Sequence, residues 1–409
     1  MAVSSAHRPR IGYVTASDPT DRRAWSGIHY FMSKALERHC GEVHHLGPLA
    51  PRTKSLLRTL AAKTQRLTRR RYNPLHSLVL ARSYARILER RIEAAKPDIL
   101  FAPAGSTEIA FLRTAVPIVY LSDATFRLLH NYYPSFSNLL PVSIWEGNLI
   151  ERRAIRRAAA AVFATEWAAK SALNDYGADP ARVHVVPFGA NLEDVPPREE
   201  ALARTRSSGC RLLFVGADWP RKGGDIAYET LLELEKRGVS AELVVCGCRP
   251  PDGLTHPRLT VVPYIDKADP EQRGRLARLL SWADFFLLPT RAECSGIVFC
   301  EANAFGVPII ATDTGGVSCV VKYGRGGTLL PLSATGAHFA DRIIELGVDA
   351  AHYHSLVLRG RSAFDNHLNW DTWGNRIAAL MAQMLRVPHG LFVGARPPSQ
   401  GPFPDGDST

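Results

Sequence analysis

Short apolar runs alternate with amphipathic stretches along both halves of the chain. In the first half, runs that predict strands lie at 10–16, 42–46, 98–102, 117–121, 161–165 and 183–188. In the second half, similar runs lie at 211–216, 242–246, 259–264 and 284–288. Apolar positions between them recur at helical spacing. Because strands that alternate with helices form parallel sheets covered on both faces, the pattern predicts an α/β protein with two doubly wound domains facing a cleft.

A charged and then small polar segment at 201–209 separates the two halves. A first domain is therefore predicted at 1–203 and a second at 204–369, in line with the two or three domains expected for 409 residues. A last helix is predicted at 370–386. The remaining segment, 387–409, is rich in Pro, Gly and Ser and is expected to be disordered.

The composition argues against several classes of protein. A hydrophobic content of 46% is typical of a globular chain, and no apolar run is long enough to span a bilayer. Residues 1–10 are polar, so secretion is not expected. The seven cysteines are scattered, and Cys246 and Cys248 lack the second pair that a zinc site needs. We therefore predict reduced thiols and a cytoplasmic location.

The net charge of +11 is concentrated in one segment. Residues 51–96 hold 13 Lys/Arg and two Glu, so the remainder of the chain sums to zero. A localised basic region indicates an anionic partner or surface. Interleaved aromatic residues are nearly absent, which argues against stacking on nucleic acid.

Leucines lie among these cations at roughly helical spacing. The stretch 53–67 contains Leu56, Leu57, Leu60 and Leu67, and Arg69, Arg70 and Arg71 follow it. One interpretation is an interfacial helix on an anionic membrane at its cytoplasmic face. The other is a solvated helix whose apolar stripe packs on the domain. The sequence leaves both open.

A strand, a polar loop and a short helix follow one another around residue 295. The apolar run 284–288 leads into the loop, and a helix is predicted from about Gly296 until Gly306 and Pro308. Ser295 is the expected N-cap of this helix. A helix N-terminus at the carboxyl end of a parallel strand suits a phosphate. The candidate contacts are Ser295, Gly296, Ile297 and Val298.

Two carboxylates flank this helix terminus. Glu293 lies in the loop and Glu301 lies on the helix, eight positions apart. A carboxylate can accept hydrogen bonds from two neighbouring hydroxyls, as a ribose or a hexose presents them. The stretch therefore predicts a nucleotide-sugar site. The alternative is an ordinary strand–loop–helix whose glutamates lie on the surface.

Two adjacent cations follow the strand at 211–216. Arg221 and Lys222 stand beside Gly223 and Gly224 at the junction with a helix. The glycines let the backbone approach a diphosphate, and arginine can bind two of its oxygens. The alternative is a solvated turn.

Residues 301–308 read Glu-Ala-Asn-Ala-Phe-Gly-Val-Pro and follow the pattern Glu-Ala-x-Ala-x-Gly-x-Pro, with the other glutamate eight positions earlier. This stretch resembles the donor-site signature of the family 4 (group 1) retaining glycosyltransferases. The resemblance implies a GT-B fold of two Rossmann-like domains and a last helix that crosses back onto the first. It implies transfer from a nucleotide-diphospho sugar to a glycan, lipid-linked or small-molecule acceptor, without a further cofactor. No Asp-x-Asp cluster stands at the strand ends, so no metal is expected.

The resemblance assigns the main donor contacts. Glu301 would hold the ribose, and Glu293 would hold the transferred sugar. Arg221 and Lys222 would stabilise the leaving diphosphate. An arginine that the family often has nearer the strand is replaced by Ala217, so Arg221 would supply that charge.

The resemblance also implies further contacts around the cleft. Gly27, in the loop after the first strand, would approach the donor, unless it only permits a turn. Ile265 would lie near the nucleobase, and Gly315 and Gly316 would offer backbone N–H groups. Asp123 would lie near the acceptor and the donor sugar, unless it only caps a helix.

Two other functions are compatible with the same residues. A sugar-nucleotide epimerase of this fold would release a sugar without an acceptor. A non-catalytic binding protein would use the basic segment to reach a membrane or a partner. Retention of Glu293, Glu301 and Lys222 argues against the second alternative.

Overall fold

The computed structural model describes residues 8–324 and 326–386. The predicted disordered segment, 387–409, lies outside the described residues. The first half contains β1 (Arg10–Tyr13), α1 (Ile28–His39), β2 (Glu42–His45), α2 (Thr53–Thr68), α3 (Leu78–Ala95), β3 (Ile99–Pro103), α4 (Ser106–Ile109), β4 (Ile118–Ser122), α5 (Phe126–Leu129), α6 (Pro141–Arg157), β5 (Ala160–Phe163), α7 (Glu166–Tyr176) and β6 (Val183–Val185).

The second half contains α8 (Arg198–Leu202), β7 (Cys210–Val215), α9 (Trp219–Lys222), α10 (Gly224–Lys236), β8 (Ala241–Cys246), β9 (Leu259–Val262), α11 (Pro270–Trp282), β10 (Phe285–Leu288), α12 (Ile297–Ala304), β11 (Ile309–Thr312), α13 (Val317–Gly324), β12 (Gly327–Leu330), α14 (Gly336–Val348), α15 (Ala350–Asn366) and α16 (Trp370–Leu385). The strands predicted from the apolar runs are confirmed, with ends that shift by a few residues.

Each half forms one parallel six-stranded sheet. The strand order is β2-β1-β3-β4-β5-β6 in the first sheet and β12-β11-β10-β7-β8-β9 in the second. The winding direction reverses between β1 and β3 in the first sheet and between β7 and β10 in the second. Ligands of open α/β sheets bind outside the carboxyl ends of the strands at such reversals. The prediction of two doubly wound domains is confirmed.

The central strands are buried because helices cover both faces of each sheet. All four residues of β10, Phe285–Leu288, are fully buried. Leu212 and Phe214 of the neighbouring strand β7 are fully buried as well. Each such side chain stabilises the fold by about 1.5–3 kcal/mol. The two strands that carry the predicted donor loops therefore lie in the buried core of the second half.

Helix α16 lies on the first half. Its Trp373 and Met381 belong to the same buried cluster as Leu36 of α1. Ahead of β7, Leu192 and Leu202 already pack against the core of the second half. The chain thus contacts the second core before residue 203, and the domain boundary at that residue stays a prediction.

Three long helices, α6, α11 and α15, had no separate prediction from the sequence. Helix α6 shows the reason. Its buried face carries Glu146, Gly147 and Glu151 beside Ile150, so the apolar stripe that identifies an amphipathic helix is interrupted.

Candidate active site

A cavity of about 720 Å³ lies between the carboxyl ends of the two sheets. The first half contributes the loops after β1, β3 and β4, and the second half contributes those after β7, β8, β9 and β10. The predicted site residues that line it are Asp123, Arg221, Lys222, Ile265, Glu293, Ser295, Gly296, Ile297, Val298 and Glu301. Gly27, Gly315 and Gly316 do not line it, although Ser26 and Ile28 do.

Arg221 and Lys222 end the short helix α9 and point to the loop after β10. Lys222 is 8% exposed, and its ammonium group donates to the Glu293 carboxylate. Arg221 donates to the Ala292 carbonyl at 2.9 Å and lies 3.8 Å from the Glu293 carboxylate. The Asp218 carboxylate accepts a hydrogen bond from the backbone N–H of Arg221 at 3.1 Å and so caps α9. The alternative of a solvated turn is therefore wrong for Lys222.

The N-terminus of α12 opens into the cavity. Its N-cap is Gly296, and Ser295 stands one position earlier, so the predicted Ser295 cap is wrong. Gly296 has a φ of 69°, a left-handed conformation that glycine adopts without strain. A Cβ at this position would overlap the Phe299 ring, which requires glycine there. No side chain caps the helix. The terminal N–H groups at Ile297 and Val298 therefore suit an anion.

Glu301 lies inside the cavity with a lysine partner. It is 2% exposed, and its carboxylate accepts a hydrogen bond from the Lys267 ammonium. Burial raises the pKa of Glu301, while the charge of Lys267 and the backbone N–H of Asn191 act in the opposite direction. Lys267 stands in the loop after β9, two positions beyond Ile265. The alternative that the glutamates lie on the surface is wrong, since Glu293 is also buried.

Asp123 follows β4 and faces the donor loop across the cleft. It does not cap a helix, because Thr125 occupies the N-cap position of α5. Burial and the charge of Glu293 raise the pKa of Asp123 to about 6, and a hydrogen bond from the Trp25 side chain partly opposes them. The Asp123 carboxyl can accept a hydrogen bond from a sugar hydroxyl at this position.

The loop after β1 has a strained backbone beside the cavity. Trp25 and Ser26 have φ values of 48° and 56°, and Gly27 follows with 86°. Left-handed conformations are costly for residues other than glycine and persist where the surroundings fix them. Asn191 supplies one restraint by donating its amide to the Ser26 carbonyl at 2.9 Å. The Trp25 ring packs edge-on against Phe188. The turn at 188–191 thus holds this loop.

Tyr132 of the first half binds directly to the donor loop of the second. Its hydroxyl accepts the Glu293 N–H at 2.8 Å and lies 3.0 Å from the Thr314 hydroxyl. The Gly316 N–H donates to the Glu293 carbonyl at 3.1 Å. A Cβ on Gly315 would overlap both that carbonyl and the Tyr132 hydroxyl. The glycine pair therefore allows this close packing, and a donor contact remains a prediction for Gly315.

The sequence reasoning missed several residues that hold the site together. Tyr132 and Trp25 contact predicted site residues, and Tyr133 lies under Arg221, with the guanidinium 5.1 Å from the ring centre. None of them belongs to a motif. A signal was nevertheless present, since the Tyr132–Tyr133 pair lies in the segment that leaves the carboxyl end of the strand predicted at 117–121, and cleft residues gather at that edge of the sheet.

Within residues 8–324 and 326–386, no three His, Cys, Asp or Glu side chains are grouped so that they could hold a metal ion. In the same residues, every helix is too short or too polar to cross a membrane.

Two family profiles match the sequence. Residues 30–194 match Glycosyltransferase Family 4, and residues 209–349 match Glycosyl transferases group 1. The D-inositol 3-phosphate glycosyltransferase of Gordonia bronchialis is 28% identical over 253 residues, which cover 58% of this chain and 54% of that protein. The chain thus aligns with about half the length of the curated relatives it matches.

Solved structures share the fold over nearly the whole chain. Sucrose-phosphate synthase from Thermosynechococcus elongatus has a TM-score of 0.65 at 17% identity, covering 93% of this chain and 100% of that one. Anabaena HepE, solved with UDP and glucose, has a TM-score of 0.59 at 16% identity, covering 92% and 100%. These matches and the two facing parallel sheets show that the chain has the GT-B fold. The two profiles, which together match residues 30–194 and 209–349, show that it belongs to the family 4, group 1 glycosyltransferases.

Proposed function

We propose that the protein transfers a sugar from a nucleotide-diphospho sugar to an acceptor hydroxyl, with retention of configuration at the anomeric carbon. One observation carries the proposal: a single cavity contains Arg221, Lys222, the uncapped terminus at Gly296, Glu293 and Glu301. These groups offer positive charge for a diphosphate and carboxylates for hydroxyls. The bound UDP and glucose of HepE support the same class of donor.

Donor binding would rearrange the buried ion pair. Lys222 and Glu293 neutralise each other in the ligand-free cavity. A diphosphate carries more charge than one carboxylate and is also bound by Arg221 and the α12 terminus, so it would draw the ammonium of Lys222 away from Glu293. Glu293 would then accept hydrogen bonds from the hydroxyls of the sugar. Glu301, with Lys267 beside it, would bind the ribose.

The reaction would need no nucleophile from the protein. The bond between the anomeric carbon and the diphosphate oxygen breaks, and the acceptor oxygen bonds to the same face of the carbon. The leaving diphosphate oxygen takes the acceptor's proton. Arg221, Lys222 and the N–H groups of α12 stabilise the charge that develops on the diphosphate. This electrostatic stabilisation could replace a metal ion, and we propose that the activity is metal-independent.

The cavity favours a transferase over an epimerase. It extends past the donor residues into the first half, where Ser106 and Glu151 line it. An epimerase binds only a nucleotide sugar, so the part of the cavity in the first half would hold no substrate. The relatives are named D-inositol 3-phosphate glycosyltransferases, so that compound is one acceptor to test.

The nucleotide should stabilise the folded protein. A ligand at about 100 times its Kd adds about 2.7 kcal/mol to the free energy of unfolding. We therefore expect one of UDP, GDP and ADP to raise the melting temperature measurably in a thermal-shift screen. The nucleotide sugars of that base are then incubated with and without acceptors. Transfer supports the proposal, acceptor-independent release of a free epimer supports the epimerase, and no stabilisation by any nucleotide contradicts a donor site.

We also propose that the first half docks on an anionic membrane through the basic segment at 51–96. Helix α2 is confirmed within this segment, and Leu57 packs on the domain at 8% exposed. Leu56, Leu60 and Leu67 are 71%, 52% and 85% exposed. The interpretation that the whole apolar stripe packs on the domain is therefore wrong for these three leucines.

The exposed apolar surface continues next to α2. Leu75, Val79, Val142 and Trp145 are each about half exposed, and α2, α3 and α6 all contact the turn at 74–76. His76, in that turn, lines the cavity. A membrane on this surface would lie beside the cavity, which favours a lipid-linked or membrane-proximal acceptor. Tryptophan at such a surface suits the headgroup region.

Vesicle flotation tests the membrane proposal. Each basic side chain near an anionic surface contributes about 1 kcal/mol, screened by salt. Replacing exposed Lys63, Arg66 and Arg70 by serine should therefore weaken binding to phosphatidylserine vesicles by about 100-fold at low salt. Arg71 is kept, because its guanidinium donates to the Pro134 carbonyl and supports the fold.

The matched control removes three exposed cations from the second half: Lys236, Arg275 and Arg278. It should float like the wild type, and binding of the wild type should fall as salt rises. Absence of flotation at low salt, or an equal loss in both variants, rejects the membrane proposal and leaves a soluble acceptor.

A further inference from the structure

The cavity has a second arm in the first half, opposite the donor residues. We call it the acceptor arm, and it is lined by His76, Ser106, Tyr120, Leu129, Phe136 and Glu151. These residues come from the turn before α3, the start of α4, strand β4 and helices α5 and α6, with Phe136 from the segment between α5 and α6. Rings and polar groups thus line one space together.

The arm contains one buried carboxyl group and one buried ring nitrogen. Glu151 is 2% exposed, and it accepts a hydrogen bond from the Tyr120 hydroxyl at 2.7 Å. Burial raises the pKa of Glu151 to about 7, so the carboxyl can donate as well as accept near neutral pH. The His76 Nδ1 atom is buried and has no hydrogen-bond partner among the described residues. Burial lowers the pKa of His76 to about 4, so its ring is neutral.

An unpartnered buried nitrogen is costly unless a ligand or water completes its hydrogen bond. The His76 ring is fixed by Phe126 and Phe136, whose centres lie 5.0 Å and 5.5 Å from it. It therefore cannot turn toward solvent without losing this packing. A hydroxyl bound in the arm can satisfy His76 on one side and Glu151 on another, and the rings fit the apolar faces of a saturated ring.

The cations that line the cavity lie outside this arm, and each has a carboxylate partner. Arg22 pairs with Glu193 at 2.6 Å, and Arg23 pairs with Asp266 at 2.9 Å. The other three are the donor-side cations with their glutamates: Arg221 and Lys222 with Glu293, and Lys267 with Glu301. A phosphate in the acceptor arm would thus be placed beside the Glu151 carboxyl and apolar rings, without a cation from the arm. Burial of an unpaired charge is far more costly than burial of a hydroxyl.

We propose that the acceptor arm binds an uncharged, hydroxyl-bearing ring through His76 and Glu151, and that it discriminates against a phosphorylated acceptor. The proposal rests on the proposed glycosyl transfer and defines the acceptor class. In this binding mode the ring's hydroxyls bond to the two buried groups, while one further hydroxyl faces the donor sugar near Asp123.

Matched acceptor pairs test the discrimination. The purified protein, with the nucleotide sugar that it binds, is offered myo-inositol against D-inositol 3-phosphate, and the methyl glycosides of glucose, galactose and mannose against their 6-phosphates. Nucleotide release and product mass are measured. We expect a kcat/KM at least tenfold higher for the neutral member of any pair that is used. A preference for the phosphorylated member overturns the proposal, and so does nucleotide binding without transfer to any neutral ring.

Variants test the residues separately. His76→Ala, with His76→Gln as a second variant in case the first does not fold, should raise the KM for the neutral acceptor at least tenfold. The thermal shift given by the nucleotide and the KM for the donor should stay unchanged. His354→Ala, at an exposed site on α15, is the control. An unchanged acceptor KM in a folded His76 variant overturns the assignment. If the nucleotide does not raise the melting temperature of the wild-type protein, the donor site itself is rejected instead.

Discussion

Replacement of Lys222 by alanine should lower sugar transfer roughly 30-fold or more, because a desolvated cation beside a leaving diphosphate is worth about 2 kcal/mol or more. Lys222 is 8% exposed, and its partner Glu293 is 9% exposed. A neutral alanine at this buried position offers no positive charge in place of the lost ammonium. Lys222→Arg keeps the charge and should retain more activity than Lys222→Ala.

The same substitution also tests the buried ion pair. Lys222→Ala leaves the Glu293 carboxylate with Arg221 at 3.8 Å, and a buried carboxylate that loses its partner destabilises the fold. Melting curves are therefore compared before kinetics. The double variant Lys222→Ala with Glu293→Gln should recover stability but not activity. Lys236→Ala, on α10 with its side chain 69% exposed, is the surface control. Unchanged kinetics in folded Lys222→Ala protein would reject the assignment.

The donor side of the site could be read from the sequence because its parts are contiguous. Residues 284–308 form one strand, one loop and one helix, so Glu293, Glu301 and the helix terminus are positioned by a single local unit. The same holds for Arg221 and Lys222 after β7. Since β7 and β10 are neighbours in the sheet, two local predictions combine into one site.

Contacts between distant segments could not be predicted. Lys222 and Glu293 are 71 positions apart, and Tyr132 reaches Glu293 across 161 positions. The first contact depends on how two loops of the second sheet pack together, and the second on how the two halves face each other. No local sequence pattern records either. The predicted N-cap of α12 was wrong because of how the helix packs. Ser295 has the better capping chemistry, but the close packing of Phe299 places glycine, with its left-handed backbone, at the cap position.

The residues of the acceptor arm could not be predicted from the sequence, because their polar side chains lie at buried positions. Glu151 lies on the buried face of α6, and a glutamate in a helix usually indicates the solvent side. His76 lies in a short turn without a motif. A sequence pattern separates apolar from polar positions, so it misplaces polar groups that a substrate cavity keeps buried.

Substitution of Glu301 should mainly weaken nucleotide binding, whereas substitution of Glu293 should mainly lower turnover. Glu301→Gln should weaken binding of the bare nucleoside diphosphate by about tenfold or more, since a hydrogen bond to a charged group contributes about 1.5–3 kcal/mol. The neutral glutamine would also leave the Lys267 ammonium without its paired charge. Glu293→Gln should not weaken that affinity, because the diphosphate then no longer competes with a carboxylate for Lys222. It should lower turnover, because the sugar loses its carboxylate partner. Isothermal titration with the nucleotide and steady-state kinetics with the nucleotide sugar measure the two effects.

The difference between the two variants in nucleotide binding and turnover is more informative than the size of either loss. Both carboxylates are buried with a lysine, so a general loss of charge in the cavity would affect both variants alike. Binding and turnover respond differently only if the two glutamates hold different parts of the donor. Glu235→Gln, an exposed glutamate on α10, serves as the control, and melting curves exclude unfolding. Weaker nucleotide binding by Glu293→Gln with normal binding by Glu301→Gln would reverse the assignment, and equal losses would show that the site does not divide the donor between them.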